Sequence, residues 1–172
     1  MMSIAQSFLA ELEQEATTTR KFLQRLPEDK LTWKPHEKSM TAGQLALHIA
    51  QSVGNVAQMA LINPAPAPDF GKANPQPESL AEVLKAHDEA VETARKILPT
   101  ISDEAMHESW RVVAPDGKEL LTMPRVALLR SIMLNHWYHH RGQFGVYLRL
   151  TGAKVPSSYG PSGDELPDFM KS

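Results

Sequence analysis

The sequence predicts an all-α protein, a four-helix bundle with a long crossover between the second and third helices and a short β-ribbon before the fourth. Three observations lead there. Four stretches repeat apolar residues at the 3.6-residue period of a helix with one buried face. A connection carrying Pro64, Pro66, Pro68, Pro75 and Pro77 separates the middle two. Asp116-Gly117, a hairpin turn signal, lies between Trp110-Arg111-Val112-Val113 and Glu119-Leu120-Leu121.

The first helix carries Ile4, Phe8, Leu9, Leu12, Ala16, Phe22, Leu23 and Leu26, with Ser3 placed to cap it and Pro27 to stop it. Residues 27–40, with Trp33, Pro35 and His36, show no periodicity and read as an ordered loop across one end of the bundle. Thr41 and Gln44 fit a capping box for the second helix, whose stripe is Leu45, Ile49, Val53, Val56 and Met59, with His48 on its border. Asn63-Pro64 ends it, and the extended connection that follows crosses the length of the molecule. Ser79-Leu80-Ala81-Glu82 opens the third helix, with Leu80, Val83, Leu84, His87, Val91, Ala94 and Leu98 facing inward before Pro99. The fourth takes Thr122 as its cap and Pro124 in its first turn. It runs through Val126, Leu129, Ile132, Met133, His136, His140, Phe144, Tyr147 and Leu148 to Gly152. Gly142 and Gly145 lie inside it, each costing ~1 kcal/mol relative to alanine, which implies close approach by another element or a tolerated weakness. The whole chain, 1–172, reads as a single domain with a coil tail over about 153–172.

Composition narrows the function. A formal net charge of −2 without a basic run gives no electrostatic footprint for nucleic acid. Neither a leader pattern nor an apolar stretch long enough for a bilayer is present, so a cytoplasmic location is the default expectation. The chain has no cysteine. Any metal site must therefore use histidine and oxygen ligands, and any thiol chemistry needs a thiol from outside.

The densest chemistry is Asn135-His136-Trp137-Tyr138-His139-His140-Arg141-Gly142-Gln143, with three of the seven histidines. His136 and His140, at i and i+4, share a helix face, a spacing that suits a metal ion. His48 on the second helix supplies a third imidazole from a facing element, as bundle cores do. His139, turned about 100° from His140 by the helix period, and Arg141 read as residues of the rim or as supports behind the ligands. His87 reads as a partly buried histidine, with a fourth ligand as the sharper alternative. Gln51, one turn after His48, and His139 are candidates to orient a substrate, and Trp137 and Tyr138 read as packing residues. No Glu follows His136, which excludes the H-E-x-x-H protease arrangement, and the di-iron bundle pattern of two Glu-x-x-His motifs with two further Glu is missing. What remains is a mononuclear site for zinc, nickel or iron. Because ligation needs neutral imidazoles, affinity is expected to fall as pH drops through ~6.5.

The chain resembles the DinB/YfiT-like superfamily of damage-inducible bundle proteins. The matching residues are Trp33-Lys34-Pro35-His36-Glu37-Lys38-Ser39-Met40, Leu45-Ala46-Leu47-His48-Ile49-Ala50, His136 through Gln143, and Val155-Pro156-Ser157-Ser158-Tyr159-Gly160-Pro161-Ser162-Gly163-Asp164-Glu165. The resemblance implies a four-helix bundle with a crossed connection, commonly a homodimer. It also implies a divalent metal held by one histidine of the second helix and the H-x-x-x-H pair of the fourth, here His48, His136 and His140. Some relatives are thiol S-transferases or thiol-dependent isomerases that use low-molecular-weight thiols; others are classed as metal-dependent hydrolases. Two functions follow as expectations. One is a metal-dependent transferase or hydrolase acting on a small molecule. The other is a non-catalytic, metal-stabilised dimeric module for binding or stress response.

Overall fold

The computed structural model describes residues 2–69 and 71–171. It is mainly helical, with a small three-stranded sheet. Helix α1 spans Ile4–Leu23, α2 Ala42–Met59 and α3 Leu80–Ile97. Their starts are set by side chains that satisfy otherwise orphaned amides. Ser3 and Gln6 form a reciprocal capping box, as do Thr41 and Gln44. Ser79 accepts from the Glu82 amide, but the Glu82 carboxylate reaches back to the amide of Glu78, one residue short of a closed box.

The long connection returns from the end of α2 to its beginning. Gly43 faces Pro77, and Gly54, farther along α2, faces Ala90 of α3, so α2 and α3 run in the same direction. On the way the chain forms β1, Ala65–Pro66, and is held near the start of α2 by Gln44 donating to the Asn74 carbonyl (2.9 Å) and by Thr41 against Gln76 (2.6 Å). α2 packs on α3 and on the last helix, and α1 packs on the same two. The core fills the space between them with Phe8, Leu12, Leu23, Leu45, Ile49, Val53, Leu129, Met133, Trp137 and Phe144. Among the described residues no helix is long and apolar enough to cross a membrane.

The ribbon expected around Asp116-Gly117 is present. Strands β2, Ser109–Val113, and β3, Glu119–Pro124, pair antiparallel, with Trp110 opposite Met123, and Gly117 takes φ +84° at the turn. Two features were not anticipated. β1 adds a parallel third strand, Ala65 opposite Val112, and its two residues were too few for a periodic signal. Ser102 caps a five-residue helix α4, Asp103–His107, just ahead of the ribbon.

The start of the fourth predicted helix is corrected. Thr122 does not cap it: Thr122 pairs with Arg111 in the sheet, and the strand runs through Pro124. The helix then comes in three pieces: α5, Arg125–Leu128, a wide π-helical stretch, Leu129–Asn135, and α6, His136–Leu150, with Gly152 at φ +81° after it. Arg125 is buried in this corner, where it donates to the carbonyls of Ala60 (2.9 Å) and Ala105 and so satisfies acceptors at the ends of α2 and α4. The tail forms a 3₁₀ turn at Asp168–Met170 and is pinned by Arg149–Asp164 (2.6 Å).

Candidate metal centre

His48 sits near the border of the buried face of α2, and His136 and His140 occupy the first turn of α6. The π stretch sets where that turn begins. The His136 amide donates to the carbonyl of Ser131, five residues back, so one turn holds an additional residue. An uninterrupted α-helix, as read from the sequence, lacks this change of phase. Trp137, fully buried next to His136 in the chain, donates its indole N–H to the Ile49 carbonyl of α2 at 3.0 Å and ties the two histidine-bearing helices together.

The three rings meet through their Nε2 atoms. His48 Nε2 lies 3.4 Å from His136 Nε2, which lies 3.0 Å from His140 Nε2. One ligand nitrogen from each residue falls within 4.8 Å of the others, and the rings stand nearly perpendicular to one another. Two imidazole nitrogens at ~2.0–2.1 Å from one tetrahedral ion are ~3.4 Å apart, so the spacing suits a shared cation. Two ring nitrogens 3.0 Å apart repel unless a proton or a cation lies between them. His140 Nδ1 lies 2.9 Å from Gln143 Oε1, an acceptor, which favours the tautomer with Nδ1–H and leaves the Nε2 lone pair for a metal. His136 Nδ1 is buried without a hydrogen-bond partner. The donor set fits a divalent ion.

Electrostatics agree with that fit. Burial, then the neighbouring His140, lowers the pKa of His48. Burial, followed by His140, His48 and His139, holds His136 at about 4. Burial lowers His140 as well, opposed by Gln143 and reinforced by His139. All three are neutral near pH 7, the form a metal needs.

A cleft of about 620 Å³ opens onto His48 and His136. α2 contributes one wall through Gln51, Asn55, Val56 and Met59, and the proline-rich connection contributes another through Pro68, Asp69, Lys72 and Asn74. Gln51 therefore lines the space beside the histidines. His139 is exposed, its ring centroid 4.8 Å from that of His140, on the rim. His87 does not join the three converging histidines: it is buried, stacked on Trp137 at 6.2 Å, with Nδ1 3.2 Å from Asp88. Gln143 was not singled out by the sequence reading, although its i+3 position relative to His140 is the spacing at which side chains meet on a helix. The polar groups of the connection carried no periodic signal, because only the crossover path brings them to the site.

The DinB family model matches residues 1–167. A Bacillus subtilis (strain 168) protein, the uncharacterized protein YrdA, is 29% identical over 171 residues, 98% of this chain and 96% of its own length. A crystal structure of a DinB-like protein from Bacillus cereus superposes with a TM-score of 0.68 at 22% identity, covering 88% of this chain and 95% of that one. Another DinB-like protein, from Bacillus subtilis, gives 0.66 at 22% identity, covering 88% and 96%. These two establish likeness of fold.

Proposed function

The chain belongs to the DinB family, and on that premise we propose that it is a divalent-metal-dependent enzyme of the thiol S-transferase or hydrolase type, acting on a small molecule. The observation that carries this reading is the convergence of His48, His136 and His140 through Nε2 at the edge of a cleft. The metal is zinc, nickel or iron. When bound it supplies a Lewis acid that lowers the pKa of a water or an external thiol. The chain's own residues then bind and orient. Val56, Met59 and Ile132 offer apolar contact, Gln51, Asn55 and Asn74 offer hydrogen bonds to the substrate, and His139 stands at the rim. With no cysteine in the chain, a thiol nucleophile comes from a low-molecular-weight cofactor. In this reading the long helical segments act as a four-helix bundle, residues 1–172 form one domain, and the protein works as a homodimer in the cytoplasm.

One observation favours a second reading. Asp69 is the one carboxylate among the described residues lining the cleft, and it belongs to the connection, so no helix-borne carboxylate lines the cleft beside the histidines. A non-catalytic, metal-stabilised module for binding or stress response fits that feature, with metal binding contributing folding free energy.

Elemental analysis of purified wild type and His48→Ala tests the ligands; the variant should lose the metal. Turnover of thiol–electrophile pairs and of activated esters by metal-loaded protein, compared with His136→Ala, tests catalysis. A cobalt-substituted sample separates the two functions. A visible spectrum altered by added thiol supports the enzyme. One unaffected by thiol, with no turnover above the variant, supports the module.

A further inference from the structure

Away from its ligand face, α6 carries a second polar system that metal ligation does not use. By the helix period, Tyr138 and Arg141 lie roughly 100–200° around the axis from His136 and His140. Arg141 is 2% exposed, and its Nη1 donates to Glu15 Oε2 at 2.6 Å and to Thr19 Oγ1 at 3.1 Å, both on buried residues of α1. Its Nη2 donates to the Tyr159 hydroxyl of the tail at 2.8 Å, and the guanidinium lies 5.3 Å and 5.2 Å from the ring centroids of Tyr138 and Tyr159. One turn earlier on α1, Glu11 accepts from the Tyr138 hydroxyl at 2.8 Å and from both terminal nitrogens of Arg130 at 2.8 Å. Two carboxylates one turn apart thus hold α6 and the π stretch before it against α1.

We propose that Glu15 and Arg141 are positioning residues for the metal centre: their buried pair sets the rotation of α6 about its axis, so that His136 and His140 meet His48. The inference rests on the metal-binding reading above. A buried ion pair is a poor source of net stability, since apolar residues of similar volume often serve as well or better; its best-attested role is to select register. Register matters here because the π stretch changes helical phase between α5 and α6, and the contacts of α6 must hold that phase. With side chains reaching ~5–6 Å from a helix axis, a rotation of about 20° moves a ring nitrogen by ~2 Å. Metal–nitrogen distances tolerate only about ±0.2 Å. The guanidinium reads rotation well, since its planar fork meets Glu15, Thr19 and Tyr159 in one fixed geometry, whereas the three donors of an ammonium rotate freely.

The test compares wild type, Arg141→Lys and the double variant Glu15→Leu/Arg141→Met. Zinc affinity is measured by chelator competition, geometry by the visible spectrum of the cobalt form, and stability by the melting temperature of the metal-free protein. The double variant should keep the melting temperature while binding zinc about 10–100-fold more weakly, the range typical of lost support around metal ligands, with an altered cobalt spectrum. Arg141→Lys, which keeps the charge, should also bind more weakly. Wild-type affinity and spectrum in the double variant overturn the proposal, as does an affinity loss that only tracks the fall in melting temperature. Should the double variant not fold, wild-type affinity in Arg141→Lys overturns it. Wild type that takes up no metal removes the metal reading itself, whereas normal uptake by wild type and variants alike removes only the positioning role.

Discussion

Lowering the pH from 7 to 5.5 sets protons against a metal ion for the same three Nε2 atoms. A histidine at ~6.5 goes from roughly one-quarter to nine-tenths protonated over that interval, an ~8-fold penalty on ligation. Three such ligands together would lose ~600-fold. Burial, with the neighbouring rings, holds His136 at about 4, so it stays neutral throughout. That leaves at most ~70-fold from the other two. Burial pushes His48 and His140 below the ordinary histidine value as well, so the expected loss lies well under that ceiling. The fall anticipated from sequence, centred near ~6.5, moves to lower pH. The assay is a zinc titration against a competing chelator at both pH values, corrected for protonation of the chelator. A loss of ~600-fold or more would refute the reasoning, because it means the three rings titrate as if exposed. The same shift has a signed consequence for metal-free stability. His136 is neutral when folded and binds a proton at ~6.5 when unfolded, so stability is lost as pH falls from ~6.5 to about 4. The contribution is about 1–3 kcal/mol, since the ring is half-buried and solvent screens part of the effect.

Three further outcomes are expected. Gln143→Ala removes the acceptor that orients His140, and zinc affinity measured by chelator competition should fall by about tenfold with little change in melting temperature. Two glycine substitutions should move in opposite directions on urea denaturation. A Cβ at Gly54 meets backbone atoms of Ala90 at 2.8 and 2.9 Å, so Gly54→Ala should destabilise by roughly 1–3 kcal/mol, whereas Gly142→Ala meets nothing within 4 Å and should stabilise by up to ~1 kcal/mol. Trp137→Phe leaves the Ile49 carbonyl without the indole donor in a fully buried site and should cost about 2 kcal/mol in the same experiment.

The glycines show where sequence reasoning reaches its limit. Gly142 and Gly145 carried the suggestion of close approach because both interrupt a helix. Gly142 has open space, and at Gly145 a Cβ would make ordinary contact with Phe22 at 3.4 Å and Val155 at 3.7 Å, so the tolerated weakness is the right account of Gly142. The tight crossing is at Gly54, where the parallel packing of α3 brings backbone atoms of Ala90 within 3 Å of an added Cβ. The buried charges are a parallel case. Glu15 lies on the same side of α1 as Leu12, Ala16 and Thr19, where periodicity expects an apolar residue, and only Arg141 on a distant segment explains it.

By itself the sequence determined the three long helices α1–α3 with their caps Ser3, Thr41 and Ser79, the hairpin turn and three histidines able to converge, because each depends on local spacing: 3.6 residues per turn, a cap beside its helix, i and i+4 on one face. Tertiary structure alone decided the third strand, the wall that the connection lends to the cleft, and the separation of His87 from His48, His136 and His140. Each of these depends on contacts between residues distant in the chain, and local periodicity carries no information about which faces will meet.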